Sequence, residues 1–167
     1  VGERVREMFR YRGAIRDDFA VIATFPRNRR EAYYMYPRGN YPLTAEQLYE
    51  AAQQRTCCTV VLDAEGNIAA YANIYKWVEG EECWIGNVIV RPEYRGKGAG
   101  RFLIEVMKKR AREELNVNTM KLICHNTNTR ALLFYAKLGF IPFEVRKQVD
   151  YDNHEIAQIC MKTDLVS

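Results

Sequence analysis

Short apolar runs separated by turn-forming residues dominate the middle of the chain and predict a set of strands. The clearest are residues 57–62, 68–77 and 83–90, which two short turns connect. Because connections this short cannot cross over a sheet, the three strands are predicted to form an antiparallel meander. An earlier apolar run, residues 19–25, predicts a first strand that ends at Pro26.

Apolar residues recur at helical spacing in most of the remaining chain. Helices are predicted over residues 2–12, 29–35, 44–54, 102–115 and 129–138. The third has the clearest start, because Thr44 is a typical N-cap and Gln47 stands three residues on, as in a capping box. Leu43 and Leu48 occupy the positions of a hydrophobic staple, and Asn128 is the predicted cap of the last helix.

The order of the elements predicts the fold class. A short strand over residues 120–124 lies between the last two helices, and strands over 140–149 and 155–162 follow. Because a strand–helix–strand sequence needs a crossover, strands 83–90 and 120–124 are predicted to be parallel. We therefore predict one α/β (α+β) domain over residues 1–167, with a mixed sheet and helices on its faces.

The net charge of +4 is concentrated near the start of the chain. Residues 1–40 hold nine Lys or Arg and five Asp or Glu, whereas residues 41–167 hold sixteen of each. We interpret the basic N-terminal segment, residues 1–15, as a solvated helix face rather than a nucleic-acid arm. No helix-turn-helix, zinc-finger or RNP motif occurs, so nucleic acid is not an expected partner.

Five cysteines occur, an odd number without a CxxC pair, and we predict no metal site. Four stand in apolar, strand-like runs, which indicates reduced core residues and favours a cytoplasmic protein. No apolar run approaches the length of about 20 residues that a membrane-spanning helix needs. The first residues also lack the apolar core of a signal peptide, so we expect no membrane association.

The most informative segment is the glycine-rich turn between strand 83–90 and the following helix. Three glycines so close together would each cost a helix interior about 1 kcal/mol, but they allow backbone N–H groups to approach a ligand. A helix start with surrounding positive charge is typical of an anion site. The glycines are Gly96, Gly98 and Gly100, and the basic residues around them are Arg95, Lys97 and Arg101.

Several interpretations of this turn compete. A Walker A loop requires a different spacing and a Ser or Thr after the lysine, and a dinucleotide fingerprint requires GxGxxG early in the chain. The sequence here is GxGxG and stands late in the chain. A pyrophosphate cradle for coenzyme A and a plain tight turn both remain open.

Two motifs in register resolve the alternatives by resemblance. Arg95-Gly-Lys-Gly-Ala-Gly100 fits the pattern [RQ]-x-x-G-x-[GA], and residues 128–140 fit N-x-x-A-x-x-[FL]-Y-x-x-x-G-F. Over residues 83–143 the chain resembles the GNAT superfamily of acetyl-CoA-dependent N-acetyltransferases, and the order of elements extends the likeness over about 19–163. The resemblance implies a mainly antiparallel sheet of six or seven strands whose central parallel pair splays apart.

The resemblance also implies that acetyl-CoA is the co-substrate. The Val88 N–H would polarise the thioester carbonyl, and Tyr135 would be the general acid that protonates the departing thiolate. The residues implied to bind acetyl-CoA are Val88, Ile89, Val90, Arg95, Gly96, Lys97, Gly98, Ala99, Gly100, Arg101, Asn128 and Tyr135.

A general base is less evident. Many members of the superfamily carry a carboxylate just ahead of the segment that corresponds to Val88–Val90, but this chain has Gly86 and Asn87 there. Glu82, acting through a water, and His125, which has a suitable intrinsic pKa, remain candidates. An amine that is already partly neutral would need no base.

The acceptor is predicted to be a primary amine of a small molecule or peptide. Members of the superfamily bind acceptors near an early loop, which here contains Tyr33, Tyr36 and Tyr41, and these rings could hold an ammonium group or pack in the core. Acidic residues of the last hairpin, including Asp150, would suit a cationic amine. A catalytically weak or inactive acyl-CoA-binding module is the alternative function, and homodimerisation stays open.

Overall fold

A seven-stranded mixed sheet organises the computed structural model, which describes residues 8–165. The strands are β1 (Arg10–Gly13), β2 (Thr56–Leu62), β3 (Ile68–Val78), β4 (Glu82–Val90), β5 (Thr119–His125), β6 (Ile141–Val149) and β7 (Glu155–Asp164). Their order is β1-β2-β3-β4-β5-β7-β6, and only the β4–β5 pair is parallel. The predicted fold class, the meander and the parallel pair are confirmed.

Helices cover both faces of the sheet, as predicted. Within the described residues they are α1 (Asp18–Ile22), α2 (Arg29–Met35), α3 (Ala45–Gln53), α4 (Ala99–Leu115) and α5 (Thr129–Lys137). One apolar cluster joins α1, α2 and α3 to one face, and a larger one joins α4 and α5 to the other. Burial of two separate apolar faces of one sheet gives the three-layer architecture.

The helix starts follow the local sequence. The side chain of Thr44 accepts a hydrogen bond from the Gln47 N–H at 3.2 Å, which confirms the predicted N-cap of α3. The Gln47 side chain does not close a capping box but bonds to the backbone of Asn40 and Pro42. Leu43 and Leu48 are both buried in the same apolar cluster.

The prediction of a strand over residues 19–25 is wrong, because residues 19–22 belong to helix α1 and residues 23–25 follow it in a turn. The buried side chains of this segment, Phe19, Ile22 and Phe25, recur every three residues, whereas Val21 is 40% exposed. The Phe19 ring packs edge-on against Tyr71 of β3 at 5.6 Å. A short apolar run is compatible with either structure, and here packing on the sheet selects the helix.

The predicted helix over residues 2–12 extends too far along the chain, because Met8 is helical but Arg10–Gly13 form the edge strand β1. Residues 1–7 lie outside the described residues. The Arg12 guanidinium donates to both carboxylate oxygens of Asp18, at 2.8 and 3.0 Å, so this arginine is not simply a solvated charge. Phe9 is buried beside Tyr94 and Phe102. Tertiary pairing therefore outweighs the amphipathic pattern of this segment.

All five cysteines lie in strands and none is paired in a disulfide. Four are buried and Cys58 is partly buried, as a structural role requires. None of the helices between residues 8 and 165 is long and apolar enough to cross a membrane.

Candidate active site

A cleft opens where β4 and β5 stop pairing. The two strands are in register over three residue pairs only, from Glu82–Thr119 to Trp84–Lys121. Beyond Trp84, β4 remains paired with β3 on one edge, while its other edge faces a cleft of about 1460 Å³. The predicted splay of the central pair is therefore observed, and it leaves backbone polar groups of β4 facing the cleft.

The glycine-rich turn forms one end of this cleft. Gly96 and Gly98 have φ values of +75° and +91°, a left-handed conformation that glycine adopts without strain. Gly98 is the N-cap of α4, and no side chain of residues 8–165 caps this helix. The N–H groups of Ala99, Gly100 and Arg101 therefore have no partner within the helix and are free to bind an anion.

Not every N–H group of the turn is available. The N–H of Lys97 donates to the carbonyl of Tyr94 at 3.2 Å, so the turn itself uses it. Gly100 has little room for a side chain, because a Cβ there would lie 3.1 Å from Phe134 and 3.3 Å from Val90. A Cβ at Gly96 would meet no atom within 4 Å.

Arg95 has a structural partner rather than a free guanidinium. Its Nη1 and Nη2 atoms lie 3.1 and 3.2 Å from the carboxylate oxygens of Glu31, which also accepts hydrogen bonds from Arg27. Burial would raise the pKa of Glu31, but the hydrogen bonds from Arg95 and Arg27 outweigh it and lower the pKa to about 2. This ion pair ties α2 to the glycine-rich turn. Arg101 is more exposed and lies 3.5 Å from Glu105.

Asn128 and Tyr135 both line the cleft from α5. The Asn128 side chain accepts a hydrogen bond from the Ala131 N–H at 3.4 Å, so it caps the helix. Tyr135 is buried, and its ring packs edge-on against Phe140 at 5.7 Å. Burial raises the pKa of the Tyr135 phenol, with a smaller contribution from Cys124. The hydroxyl is therefore protonated at neutral pH and able to donate.

His125 lies at the end of β5, on the cleft wall. Its ring stacks on Tyr33 with centroids 4.9 Å apart, and its Nε2 atom has no hydrogen-bond partner among the described residues. Burial lowers the pKa of this imidazole, which the charge of Asp150 only partly offsets. A neutral imidazole with an unpaired nitrogen can accept a proton.

Glu82 is not brought into the cleft. It lies at the opposite, paired end of β4 and makes an ion pair with Lys121 at 2.9 Å. The hydrogen bond from Lys121 lowers the pKa of Glu82. Among the carboxylates of residues 8–165, Glu31 alone lines the cleft, and it is already bound by two arginines.

The predicted acceptor residues have separate locations. Tyr36 lines the cleft, whereas Tyr33 lies behind it against His125. Tyr41 is 50% exposed and outside the cleft wall. The acidic hairpin residues are also outside it, where Asp150 accepts bonds from backbone N–H groups of its own turn.

Sequence reasoning missed a polar cluster at the other end of the cleft. Arg55 donates to the side-chain oxygens of Asn73 and Asn87, and it lies between the rings of Tyr36 and Tyr75. The sequence did show that Gly86-Asn87 replaces the usual carboxylate. It did not show that Arg55 contacts this position, because Arg55 stands some thirty positions earlier in the chain.

Positive charge dominates the cleft wall. Among the described residues, Glu31 is the single acidic side chain on this wall, against nine Lys and Arg side chains. They are Arg30, Arg38, Arg55, Lys76, Arg95, Arg101, Arg130, Lys137 and Arg146.

Comparisons with known proteins agree with this fold. The acetyltransferase (GNAT) family model matches residues 21–140. The ribosomal protein bS18-alanine N-acetyltransferase of Escherichia coli (strain K12) is 28% identical over 116 residues, which are 70% of this chain and 76% of that protein. The chain therefore belongs to the acetyltransferase (GNAT) family, and it is an acetyltransferase.

Solved structures share the fold at lower identity. Spermidine N-acetyltransferase from Vibrio cholerae, in complex with CoA and spermine, superposes with a TM-score of 0.77 at 19% identity, covering 95% of this chain and 96% of that one. The ribosomal-protein-S18-alanine N-acetyltransferase from Escherichia coli gives a TM-score of 0.69 at 22% identity, covering 96% of each chain.

The ion pair between Glu31 and Arg95 gives a pH-dependent prediction. Glu31→Gln should reduce the free energy of unfolding by about 1–3 kcal/mol at neutral pH, because hydrogen bonds to a charged group are lost. The folded-state pKa lies below the value of about 4.3 for an unfolded glutamate. The contribution of the ion pair to the free energy of unfolding is therefore complete above the pKa of unfolded glutamate. It is lost as the pH falls towards about 2, the pKa of Glu31 in the folded protein.

Urea unfolding of both proteins at neutral pH and at several acidic values tests this prediction. The difference in free energy of unfolding between the wild type and Glu31→Gln should become smaller as the pH is lowered. Glu50→Gln, on the exposed side of α3, is the matched control and should behave like the wild type at every pH. Equal stability of Glu31→Gln and the wild type at neutral pH would contradict the structural role of the pair.

Proposed function

We propose that this chain transfers an acetyl group from acetyl-CoA to a primary amine, by direct attack of the amine while both substrates are bound. The observation that carries the proposal is the open edge of β4 next to an uncapped helix start. An extended amide-containing arm can pair with such an edge, and the phosphates at its end can bind the N–H groups of α4. The family membership supports the same arrangement.

The residues present fit coenzyme A. The glycine-rich turn combines an open position at Gly96 with the N–H groups of Ala99, Gly100 and Arg101. Gly100 leaves the helix start close to Phe134, where even a methyl group would be crowded. The Lys97 and Arg101 side chains add positive charge for the pyrophosphate. Val88 and Val90 lie on the open part of β4 and would pair with the pantetheine arm, with Ile89 buried between them.

Acetyl-CoA supplies an acetyl thioester as the activated group. In our proposal the Val88 N–H stabilises the negative charge that develops on the carbonyl oxygen when the amine attacks. Tyr135 donates its phenolic proton to sulfur as the new C–N bond forms and the C–S bond breaks. His125 accepts the proton that the amine loses, directly or through water. Arg95 acts indirectly, by fixing the glycine-rich turn to α2.

A catalytically weak acyl-CoA-binding module is the second candidate. The observation in its favour is that, among the described residues, no carboxylate stands free in the cleft to act as a base. The two candidates differ in turnover, because the module would bind acetyl-CoA and release no thiol with any amine. We favour the enzyme, since Tyr135 and His125 both line the cleft and the Nε2 atom of His125 has no hydrogen-bond partner among the described residues.

Binding of acetyl-CoA should raise the melting temperature in a concentration-dependent manner, because a ligand of the folded state alone stabilises it by mass action. Gly98→Glu should abolish this shift, since it places a negative side chain at the phosphate site. Gly66→Glu is the matched control, because Gly66 has a similar φ of +87° in the β2–β3 turn, away from the cleft. A melting temperature that ignores saturating acetyl-CoA, or an unchanged shift in Gly98→Glu, would contradict the proposed site.

Tyr135→Phe should reduce kcat by about 10²–10⁴-fold, the usual range for a lost general acid, with little change in the KM for acetyl-CoA. The ring and its packing against Phe140 remain, so the stability should change little. Steady-state assays of thiol release, together with thermal unfolding, measure both quantities. Tyr11→Phe is the control, because Tyr11 lies in the edge strand β1 and does not line the cleft, and it should keep the wild-type kcat. A Tyr135→Phe protein with more than half of the wild-type kcat would refute the assignment.

A further inference from the structure

The Arg55 side chain occupies an unusual position for a cation. It follows the end of α3, lines the cleft and is partly buried. Its guanidinium lies 5.6 Å from the centroid of the Tyr36 ring and 5.2 Å from that of Tyr75. Two aromatic faces therefore flank the charged group and limit the directions from which a ligand can approach it.

Neutral amides hold this guanidinium in place. The Nη1 atom donates to Oδ1 of Asn73 at 3.0 Å and to Oδ1 of Asn87 at 2.9 Å. Asn87 is itself fixed, because its Nδ2 donates to the carbonyl of Met35 at 3.0 Å and its Oδ1 also accepts from Asn73. Asn73 and Asn87 are buried, so the guanidinium is positioned by groups that have little freedom to move.

The amides position the charge without neutralising it. No carboxylate of residues 8–165 lies within 4 Å of Arg55, and none of those residues accepts a hydrogen bond from its Nε or Nη2 atoms. A partly buried cation without a counter-ion is costly unless an anion or water completes its surroundings. The Nε–Nη2 edge presents two parallel N–H donors, which match the two oxygens of a carboxylate.

The sequence of β4 makes room for this arrangement. A Cβ at Gly86 would lie 2.6 Å from a carbon of the Tyr75 ring and 3.0 Å from Nη1 of Arg55. Gly86 and Asn87 thus let Arg55 and Tyr75 lie directly against the strand, just before the segment Val88–Val90. The residues that break the expected carboxylate pattern are those that hold a cation there instead.

Other basic side chains add positive charge around Arg55. Arg38, Lys76 and Arg146 line the cleft together with Arg55. Glu144, which pairs with Arg146 at 2.6 Å, does not line the cleft. This end of the cleft therefore repels a polyamine and attracts an amine that also carries an anionic group.

We propose that the acceptor is a primary amine bearing a carboxylate, and that Arg55 binds this carboxylate through its Nε and Nη2 atoms. This inference rests on the proposed acetyl transfer and names the class of its acceptor. The neighbouring Tyr36 and Tyr75 rings would orient the carboxylate, and the amino group would extend towards Val88 and the thioester.

Matched pairs of acceptors test the proposal on the wild-type protein. Glycine, β-alanine and γ-aminobutyrate are each compared with the corresponding primary carboxamide, and spermidine represents cationic amines. Because charge-assisted hydrogen bonds to a carboxylate would be lost, kcat/KM from thiol release should be about 10- to 100-fold higher for at least one acid than for its amide. Spermidine should be a poorer acceptor than that acid.

Variants locate the source of the preference. Arg55→Gln should remove the preference for the acid over the amide, and Arg55→Lys should retain part of it. The shift in melting temperature with acetyl-CoA should persist in both variants, which shows that they are folded and bind the co-substrate. Arg10→Gln, on the exposed edge strand β1, loses the same charge away from the cleft and should keep the full preference.

The outcomes separate this inference from the proposed function. Wild-type protein that acetylates amides or spermidine as well as the acids would overturn the carboxylate inference and leave acetyl transfer intact. The carboxylate inference would also be overturned if folded Arg55→Gln protein kept the full preference for the acid over the amide. Absence of thiol release with every amine would overturn both proposals, whatever the result for acetyl-CoA binding.

Discussion

The early end of the β4–β5 ladder is the constraint on which the site depends. Two parallel strands that pair at only three positions leave the facing edges of both without backbone partners over the rest of their length. Unpaired backbone groups on such an edge cost free energy when they are buried, and they can pair with strands of other chains when they are exposed. The edge therefore needs a ligand, water or a covering element. Here the edge of β4 forms the wall of a cleft, and the helices α2 and α5 close it from either side.

The same geometry explains why the glycine-rich turn lies where it does. β4 leads through the turn directly into α4, so the open edge and the uncapped helix start are consecutive in the chain. The ion pair of Glu31 with Arg95 then fixes the turn to α2 on the other side of the cleft. The positions that we propose to bind an extended arm and its terminal phosphates are thereby held at a constant separation.

Two arginines show how burial and pairing decide a charge's role. Arg95 is neutralised by Glu31 and contributes rigidity, although the motif alone suggests a phosphate ligand. Arg55 is positioned by the amides of Asn73 and Asn87, so its charge remains available to the cleft. The motif predicts the first residue's place but not its partner, because Glu31 lies 64 positions away.

Patterns among residues close in sequence were sufficient to predict much of the fold. The meander, the Thr44 and Asn128 caps and the glycine-rich turn follow from residues that are near one another in sequence. Residues 19–25 were misjudged because a short apolar run has no period that separates helix from strand, and only packing against Tyr71 decides. The Arg55 cluster could not be predicted, since it joins three segments through side-chain hydrogen bonds.

Amide hydrogen exchange with and without acetyl-CoA is the sharpest test of co-substrate binding along the open edge of β4, because it reports which backbone groups the co-substrate protects. We expect added protection at residues 88–90 and at 99–101, with β1 and the distal β2–β3 turn unchanged. Stabilisation by acetyl-CoA with protection elsewhere, for instance around Glu82 and Lys121, and none along the open edge of β4, would contradict this expectation.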